Sequence, residues 1–485
     1  MKKYIISTLI LLLLCTFLTA QAGTTQPQQP LGDGTEESPY LIDNLANLRW
    51  LSENNHEWWI GRYTPIHVSQ TANIDASETI NWNDGNGFLP IEPPNTVNGF
   101  YGVYNGNNFT ISGLYMSRGI YLPRAWGGFF GSIENSTVLK NIQLENMSIV
   151  SYHVVGGIVG FIQEAHLRQS TISIENCYTS GIITADTNGM FGGIVGMALA
   201  DEPRGTHISI NNSYSTINFT LTNTQHVTSH TIGGIIGIVS FNYTGTATIE
   251  NCYFNGKIES EGKVGGIIGQ AFSPIVLINN YASGSVISNG NFSGGLAGLL
   301  PDSLVHEDSV LQNNFWDVET TGFLHATYEE GTPESNFGLP TDEMKNITNF
   351  INAGWDFETV WDINPNINDG YPFLRSFDYR IDPPTTEKEI TNEVTTALIG
   401  NYPNPFNPTT TISYNLEHTG NVKLQVFNVK GQLVRTLVDE VKNAGEHSIT
   451  WHGEDNNFHS VASGVYFYRL ETEAGNHVQR MLLLK

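Results

Sequence analysis

The stretch Gly156-Gly157-Ile158-Val159-Gly160 decides the fold, because variants of it recur along the middle of the chain. The other copies are Gly127-Gly128-Phe129-Phe130-Gly131, Gly192-Gly193-Ile194-Val195-Gly196, Gly233-Gly234-Ile235-Ile236-Gly237, Gly265-Gly266-Ile267-Ile268-Gly269 and Gly294-Gly295-Leu296-Ala297-Gly298. Successive copies are 29 to 41 residues apart. A fixed pattern at this spacing predicts an array of stacked structural repeats.

A second element, of the form Asn-Cys-Tyr, follows each of the last five copies. It reads Asn176-Cys177-Tyr178, Asn212-Ser213-Tyr214, Asn251-Cys252-Tyr253, Asn279-Asn280-Tyr281 and Asn313-Asn314-Phe315. The apolar runs between these elements are short and rich in β-branched residues, which favours strands over helices. Glycine permits the tight turns between them, and stacked coils share one core.

We therefore predict an all-β chain whose residues 100–317 form a right-handed parallel β-helix, a solenoid. Ile158, Ile194, Ile235 and Ile267 should stack inward, because they occupy the same place in successive repeats. The repeated Asn should hydrogen-bond between coils, and the Tyr or Phe beside it should stack.

The flanking segments predict further units. Residues 23–99 should cap one end of the solenoid, with a strand ending at Ile42 and a short helix capped by Asp43. The aromatic residues of 318–378 should plug the other end, and the Pro-containing segment 379–397 reads as a linker. Several short strands within 398–485 predict a small immunoglobulin-like β-sandwich.

The repeats resemble the GLUG repeat of bacterial surface proteins. Two flanks agree with that family: Gly34 to Ile42 resembles its opening strand, and Tyr371-Pro372-Phe373-Leu374 resembles its closing segment. The resemblance covers about residues 31 to 376 and implies a surface-exposed β-helix.

The C-terminus resembles the type A sorting domain of the type IX secretion system. Three segments carry the resemblance: Asn401 to Pro408, Ala462 to Tyr468 and Gln479 to Lys485. The resemblance implies that the export machinery of the outer membrane recognises this domain. This machinery is therefore the partner that the resemblance predicts.

Export is also predicted by the N-terminus. Lys2 and Lys3 precede the apolar run Ile5 to Leu18, and Ala20-Gln21-Ala22 supplies small residues, so residues 1–22 read as a signal peptide. We expect no integral membrane segment after its removal. The net charge of −25 argues against a nucleic-acid partner, which requires a basic surface.

Catalytic motifs are incomplete. His56-Glu57-Trp58-Trp59-Ile60 begins like the zinc-binding His-Glu-x-x-His, but Ile60 replaces the second histidine. Cys177 and Cys252 occupy repeated positions and should be buried free thiols. We predict no catalytic residue, no metal and no cofactor, and we assign Glu175 and Glu250 to solvated turns, although paired carboxylates would suit a glycosidase.

These observations predict a non-catalytic protein, secreted or on the outer cell surface, that binds a glycan or another surface. A polysaccharide lyase or hydrolase on a β-helix is the alternative, and a structural matrix component is a third hypothesis. Excess length must leave the coils as loops, so segments 198–207 and 220–231 are the candidate binding loops. Their candidate residues are Asp201, Glu202, Arg204, His207, His226 and His230.

Overall fold

Parallel strand pairing begins at Tyr40 and continues from coil to coil as far as Leu339. The structure is a computed structural model that describes residues 25–59, 61, 64–94, 98–117, 126–151, 153–163, 170–185, 189–200, 206–221, 230–241, 245–288, 292–300, 309–328, 335–377, 397–402, 406–472 and 475–484. Within these ranges four parallel sheets run along the solenoid, so the predicted parallel β-helix is confirmed.

The coils between Gly102 and Leu299 contribute strands to the four sheets in the order I, II, III and IV, and the coils before and after them contribute described strands to sheets I and II alone. The described strands of sheet I are Tyr40–Ile42, Ile66–Gln70, Gly102–Asn105, Val138–Lys140, Ser170–Glu175, Thr206–Asn211, Thr246–Glu250, Ile275–Ile278 and Val310–Gln312. Those of sheet II are Ile74–Asp75, Thr110–Ser112, Tyr115–Ser117, Gln143–Ser151, Tyr178–Ala185, Tyr214–Leu221, Tyr253–Phe254, Lys257–Glu259, Tyr281–Ala282, Ser285–Ile287, Asn314–Asp317 and Asn336–Leu339.

Sheets III and IV are shorter. The described strands of sheet III are Trp126–Gly127, Val154–Gly156, Met190–Gly192, Thr231–Gly233, Lys263–Gly265 and Ser293–Gly294. Those of sheet IV are Phe130–Ile133, Val159–Ile162, Val195–Ala200, Ile236–Phe241, Ile268–Ala271 and Ala297–Leu299.

The core of the solenoid is a continuous column of apolar side chains. Ile158, Ile194, Ile235 and Ile267 are fully buried and stack in register, as predicted. In-register pairing brings equivalent residues of consecutive coils to about 4.8 Å, so identical side chains fill the interior layer by layer.

The described strands of the N-terminal segment belong to the same parallel strand pairing. Strand Tyr40–Ile42 pairs with Ile66–Gln70, and that strand pairs with Gly102–Asn105, so the coils begin inside the segment predicted as a cap. The α-helices here are Leu45–Glu53 and Asn55–Trp58. The first is capped by Asn44 and not by Asp43, because the Asn44 side chain accepts the N–H of Asn47.

The remaining short helices of the described chain precede strand Gly102–Asn105 or follow strand Asn314–Asp317 in sequence. The α-helices are Val318–Thr321 and Ile347–Asn352, and the 3-10 helices are Ser77–Asn81, Asn83–Gly85, Glu343–Lys345 and Asn368–Gly370. An antiparallel pair joins Trp361–Ile363 to Pro372–Leu374. No helix within the described ranges is long and apolar enough to cross a membrane.

An aromatic ladder runs along the outer side of sheet II. Its four tyrosine rings have neighbouring centroids 4.3, 4.5 and 4.9 Å apart and lie within 22° of parallel. The turn before each tyrosine is formed by the repeated Asn, whose φ is 51° at Asn176, a conformation that Asn tolerates. The ladder comprises Tyr178, Tyr214, Tyr253, Tyr281, Phe315 and Phe337.

Residues 341–377, called the strap below, cover this ladder in reverse order. Phe350 contacts Phe315 with centroids 4.5 Å apart, and Phe377 contacts Tyr214 at 4.8 Å. The strap therefore lies along the side of the solenoid, whereas the sequence predicted a plug across its end. The physical reason is that the ladder would otherwise expose a continuous apolar stripe.

The C-terminal unit, residues 382–485, is compact on its own. Its described strands form two antiparallel sheets, which confirms the predicted sandwich. One sheet contains Ala397–Tyr402, Thr410–Leu416 and Gly445–Trp451; the other contains Leu433–Lys442, Gly420–Asn428, Gly464–Thr472 and Gly475–Leu483. Trp451, Tyr468 and Leu424 are buried in its core.

Candidate functional site

The repeated glycines bring sheets III and IV into backbone contact. A Cβ on Gly156 would lie 2.1 Å from the carbonyl oxygen of Val159, and one on Gly160 would lie 2.8 Å from that of Gly127. Real Cβ atoms do not approach so closely, so only glycine fits these positions. The Gly-Gly-apolar-apolar-Gly element is therefore a packing device that folds sheet III back onto sheet IV.

Beyond the glycines, side chains of sheets III and IV meet along a line that we call the seam. Trp126 of sheet III stacks on Phe161 of sheet IV, with centroids 4.5 Å apart and rings 18° from parallel. Four side chains along the seam are half-buried: Trp126, Phe161, Met190 and Met197. Thioether and aromatic side chains form adaptable apolar contact surfaces, so the seam can accept an apolar or stacking ligand group.

The connections that vary most in length lie at the two edges of the seam. Two residues join sheet I to sheet II in the five coils between Val138 and Tyr281, as at Asn176 and Cys177, although the same connection has four residues after Asn105 and one after Gln312. Two residues join each described strand of sheet III to sheet IV, as at Gly157 and Ile158. The connections from sheet II to III and from sheet IV to I vary widely in length. Since sheets III and IV are consecutive around the coil, both variable connections flank the seam.

The two predicted binding loops, 198–207 and 220–231, are shorter than predicted, because the strands Val195–Ala200, Thr206–Asn211 and Tyr214–Leu221 extend into them. Segment 201–205 follows sheet IV and segment 222–229 precedes sheet III. Four predicted site residues lie in these segments, outside the described residues: Asp201, Glu202, Arg204 and His226.

The two described histidines of this set differ in role and are not neighbours in one cluster. His207 lies on sheet I, half-buried, with Nδ1 2.6 Å from the Thr246 hydroxyl. His230 is buried at the start of sheet III, tilted against Phe191, and its Nδ1 has no hydrogen-bond partner. Burial lowers the pKa of His230, which favours the neutral ring and makes it part of the core at the base of its loop.

Sequence reasoning missed two other long connections, from Ser117 to Trp126 and from Leu299 to Val310. The first precedes the first glycine element and the second follows the last, so the spacing between copies does not measure either. Sequence reasoning also missed Trp126 and Phe161. An aromatic residue that occurs at one position of a single coil is not part of the repeated sequence pattern.

Trp355 and Trp361 of the strap do not form an exposed recognition face. They are only 4% and 0% exposed. Trp361 lies 4.5 Å from Trp355 between ring centroids, and its indole N–H donates to Asn251 Oδ1 at 3.3 Å. Both side chains are occupied in holding the strap to the solenoid.

The thiols and carboxylates singled out in the sequence have structural surroundings. Cys177 and Cys252 are free and buried, as predicted, and burial raises the pKa of each thiol to about 12. Glu175 and Glu250 share one outward column of sheet I with Asn211 between them. Two strand spacings separate the carboxylates by roughly 10 Å, beyond the separation of about 5–5.5 Å in retaining glycosidases.

The two side chains of the zinc-like motif, Glu57 and His56, differ in their surroundings. Trp50 Nε1 and Asn54 Nδ2 donate to the two carboxylate oxygens of Glu57, at 3.2 and 3.0 Å, while the His56 side chain is exposed. In the part of the chain that the structure describes, no three His, Cys, Asp or Glu side chains are grouped to hold a metal.

Comparison with known proteins finds matches to parts of the chain. The FlgD Ig-like domain family matches residues 406–476. Halomucin of Haloquadratum walsbyi is 34% identical over 181 residues, which are 37% of this chain and 2% of that protein. A protein of Evansella cellulosilytica named as a Gly-rich membrane protein is 35% identical over 130 residues, 26% of this chain and 14% of its own length. The chain thus spans a small part of the curated relatives that it matches.

Two solved structures are also similar over short stretches. PorZ, described as a surface component of the type IX secretion system of Porphyromonas gingivalis, has a TM-score of 0.14 and 20% identity. The match covers 18% of this chain and 11% of PorZ. FlgD of P. aeruginosa has a TM-score of 0.14 and 27% identity, over 15% of this chain and 59% of that chain.

Proposed function

We propose that this is an exported, non-catalytic protein of the cell surface or the extracellular medium, which binds a glycan or another surface through its β-helical body. The observation that carries the proposal is that the connections of most variable length lie at the edges of the seam. A rigid array of paired strands whose loops vary mainly along one side has the form of a binding scaffold.

The outer side of sheet II is committed to structure. The strap covers its aromatic ladder, with Trp355 and Trp361 turned inward. The turn between sheets I and II keeps a length of two residues in the five coils between Val138 and Tyr281. The half-buried Trp126 and Phe161 then provide an aromatic surface of the kind that stacks on the apolar face of a sugar ring.

We further propose that the C-terminal unit directs secretion and surface attachment through the type IX machinery. The three segments that resemble a sorting domain come together in the fold. Strand Gly464–Thr472 pairs with Gly475–Leu483, and Phe406 exchanges backbone hydrogen bonds with Leu482 and Leu484, each 2.9 Å long. Residues distant in sequence thus form one surface that a receptor can recognise.

Deleting residues 398–485 tests the export function. The truncated protein should accumulate in the periplasm, because its signal peptide remains while its sorting domain is gone. The measurement is fractionation of producing cells, with the full-length chain as control. Unchanged surface display of the truncated chain would contradict the proposal.

Shortening segments 201–205 and 222–229 tests the binding function. Thermal stability should hardly change, because the paired strands are retained, while binding on a glycan array should weaken against the full-length body. Equal binding by a correctly folded variant would move the recognition surface away from the seam. Release of shortened glycan products from the array would instead establish the alternative, a lyase or hydrolase.

A further inference from the structure

Phe458 of the C-terminal unit has a backbone conformation that an aromatic residue rarely adopts. Its φ is +62°, in the left-handed region where the Cβ of a bulky residue is crowded. Local hydrogen bonds impose this conformation. The Asp455 carboxylate accepts the backbone N–H groups of Asn457 and His459 at 2.8 and 2.9 Å, and Phe458 N–H donates to the Asp455 carbonyl at 3.0 Å. A glycine would satisfy the same turn without strain.

The ring gains no compensating burial within its own domain. The side chain of Phe458 is 71% exposed. Strain of this kind persists where the surrounding structure imposes it and is concentrated at functional sites. A strained turn that displays an aromatic ring to solvent therefore points to a contact made outside the domain.

Arg435 gives this surface a positive charge. Its guanidinium lies over the Phe458 ring, 4.3 Å from the centroid, and donates to the carbonyl oxygen of Asp455. Among the described residues no carboxylate lies within 4 Å of this guanidinium to form an ion pair. The charge is thus held in place by the turn and is available to an acidic group of a partner.

A cleft of about 400 Å³ lies beside the turn. Leu433, Val434, Val461 and Tyr466 supply the apolar part of its lining, and Leu433 is itself 46% exposed. The polar part is supplied by Asn428, Asp455, Asn456 and Asn457. Asn456 closes one side, because its N–H donates to the Val434 carbonyl at 3.0 Å. The cleft is large enough for one or two side chains, and Phe458 directly follows Asn457 of its lining.

We infer that Phe458, Arg435 and this cleft form the surface by which the C-terminal unit binds a protein of the export machinery. The complementary segment carries an apolar side chain next to a carboxylate: the apolar group enters the cleft beside Phe458, and the carboxylate pairs with Arg435. This inference rests on the proposed export function and adds the contact residues and the chemistry of the partner.

The substitution Phe458→Gly separates recognition from folding. It removes the ring and relieves the backbone strain, so the melting temperature of the full-length protein should stay equal or rise. Secretion into the medium or onto the surface should fall at least fivefold, with accumulation in the periplasm. Phe458→Tyr keeps the ring and should be secreted like the wild type. Val441→Ser, an exposed apolar position at the far end of the same strand, is the matched control and should have no effect.

Arg435→Gln tests the charge. Gln cannot pair with a carboxylate, so secretion should fall severalfold while the melting temperature stays within a few degrees of wild type. Wild-type secretion of either Phe458→Gly or Arg435→Gln overturns the inference. If deletion of residues 398–485 blocks export while both point variants are secreted normally, only the contact surface is wrong. If the deletion also leaves export intact, the proposed export function itself fails.

Discussion

Replacing Trp361 by alanine should detach the strap from the solenoid. The indole is completely buried, with ring centroids 4.5 Å from Trp355, 6.0 Å from Tyr281 and 6.2 Å from Tyr253. It is therefore the side chain that joins the strap to the middle of the aromatic ladder. Its loss leaves a cavity between two tyrosines and the neighbouring tryptophan.

The expected cost follows from that burial. A buried tryptophan removes about 200 Å² from water, which corresponds to roughly 5 kcal/mol at about 25 cal/mol per Å². Measured Trp→Ala substitutions in cores cost about 3–5 kcal/mol, and the hydrogen bond to Asn251 Oδ1 contributes about 1 kcal/mol of this. Trp361→Phe keeps most of the ring contact and should cost about 1–2 kcal/mol.

The assay is urea unfolding of the full-length protein followed by tryptophan fluorescence, together with limited proteolysis. The alanine variant should be cleaved within residues 341–377 at urea concentrations where the coils remain intact, because the glycine-packed core does not depend on the strap. Ile351→Ala, at an exposed position of the same segment, is the control and should change stability by less than about 0.5 kcal/mol. An unchanged urea midpoint and cleavage pattern for Trp361→Ala would refute the reasoning.

Three further predictions concern other parts of the molecule. In a thermal unfolding assay, Gly234→Ala should destabilise the solenoid by about 3 kcal/mol, because the new Cβ would lie 2.0 Å from a backbone oxygen of the next coil. The control Gly420→Ala should be neutral in the same assay, because a Cβ at Gly420 would meet open space. Because burial lowers the pKa of His230, its contribution to stability is complete above about pH 6.5 and is lost as the pH falls below that value. Melting temperature should therefore decline on acidification less steeply in His230→Gln than in the wild type; equal slopes would contradict this. A thiol reagent should modify Cys177 and Cys252 only after denaturation, because both are buried with a pKa of about 12; rapid labelling of the folded protein would show that the coils open.

The repeats alone were enough to predict the solenoid and the residues inside it. Hydrophobic periodicity and glycine placement are local properties, and a parallel stack repeats the same local environment in each coil. Ile158 and Ile235 could thus be assigned to the core before any contact was known. The sandwich was predicted for a similar reason, since alternating strands and turns such as Val429-Lys430-Gly431 are visible within single segments.

The position of the closing segment depended on tertiary structure. The contact between Tyr253 and Trp361 joins residues more than a hundred positions apart, and local periodicity carries no information about such a pair. The sequence showed many aromatic residues in both places, but not that one set covers the other. The end-plug hypothesis failed because the apolar side chains of the strap pack against the aromatic rings of the ladder.

The candidate site shows the same division. The sequence alone determined that excess length must leave the coils as loops, because strands paired in register cannot absorb it. Only the tertiary structure decided that the long connections begin or end at the strands of one seam and that Trp126 meets Phe161 there. The physical reason is that glycine lets sheet III fold back onto sheet IV. The packing of these two sheets determines which side chains face each other, and the pattern of a single repeat does not reveal those pairs.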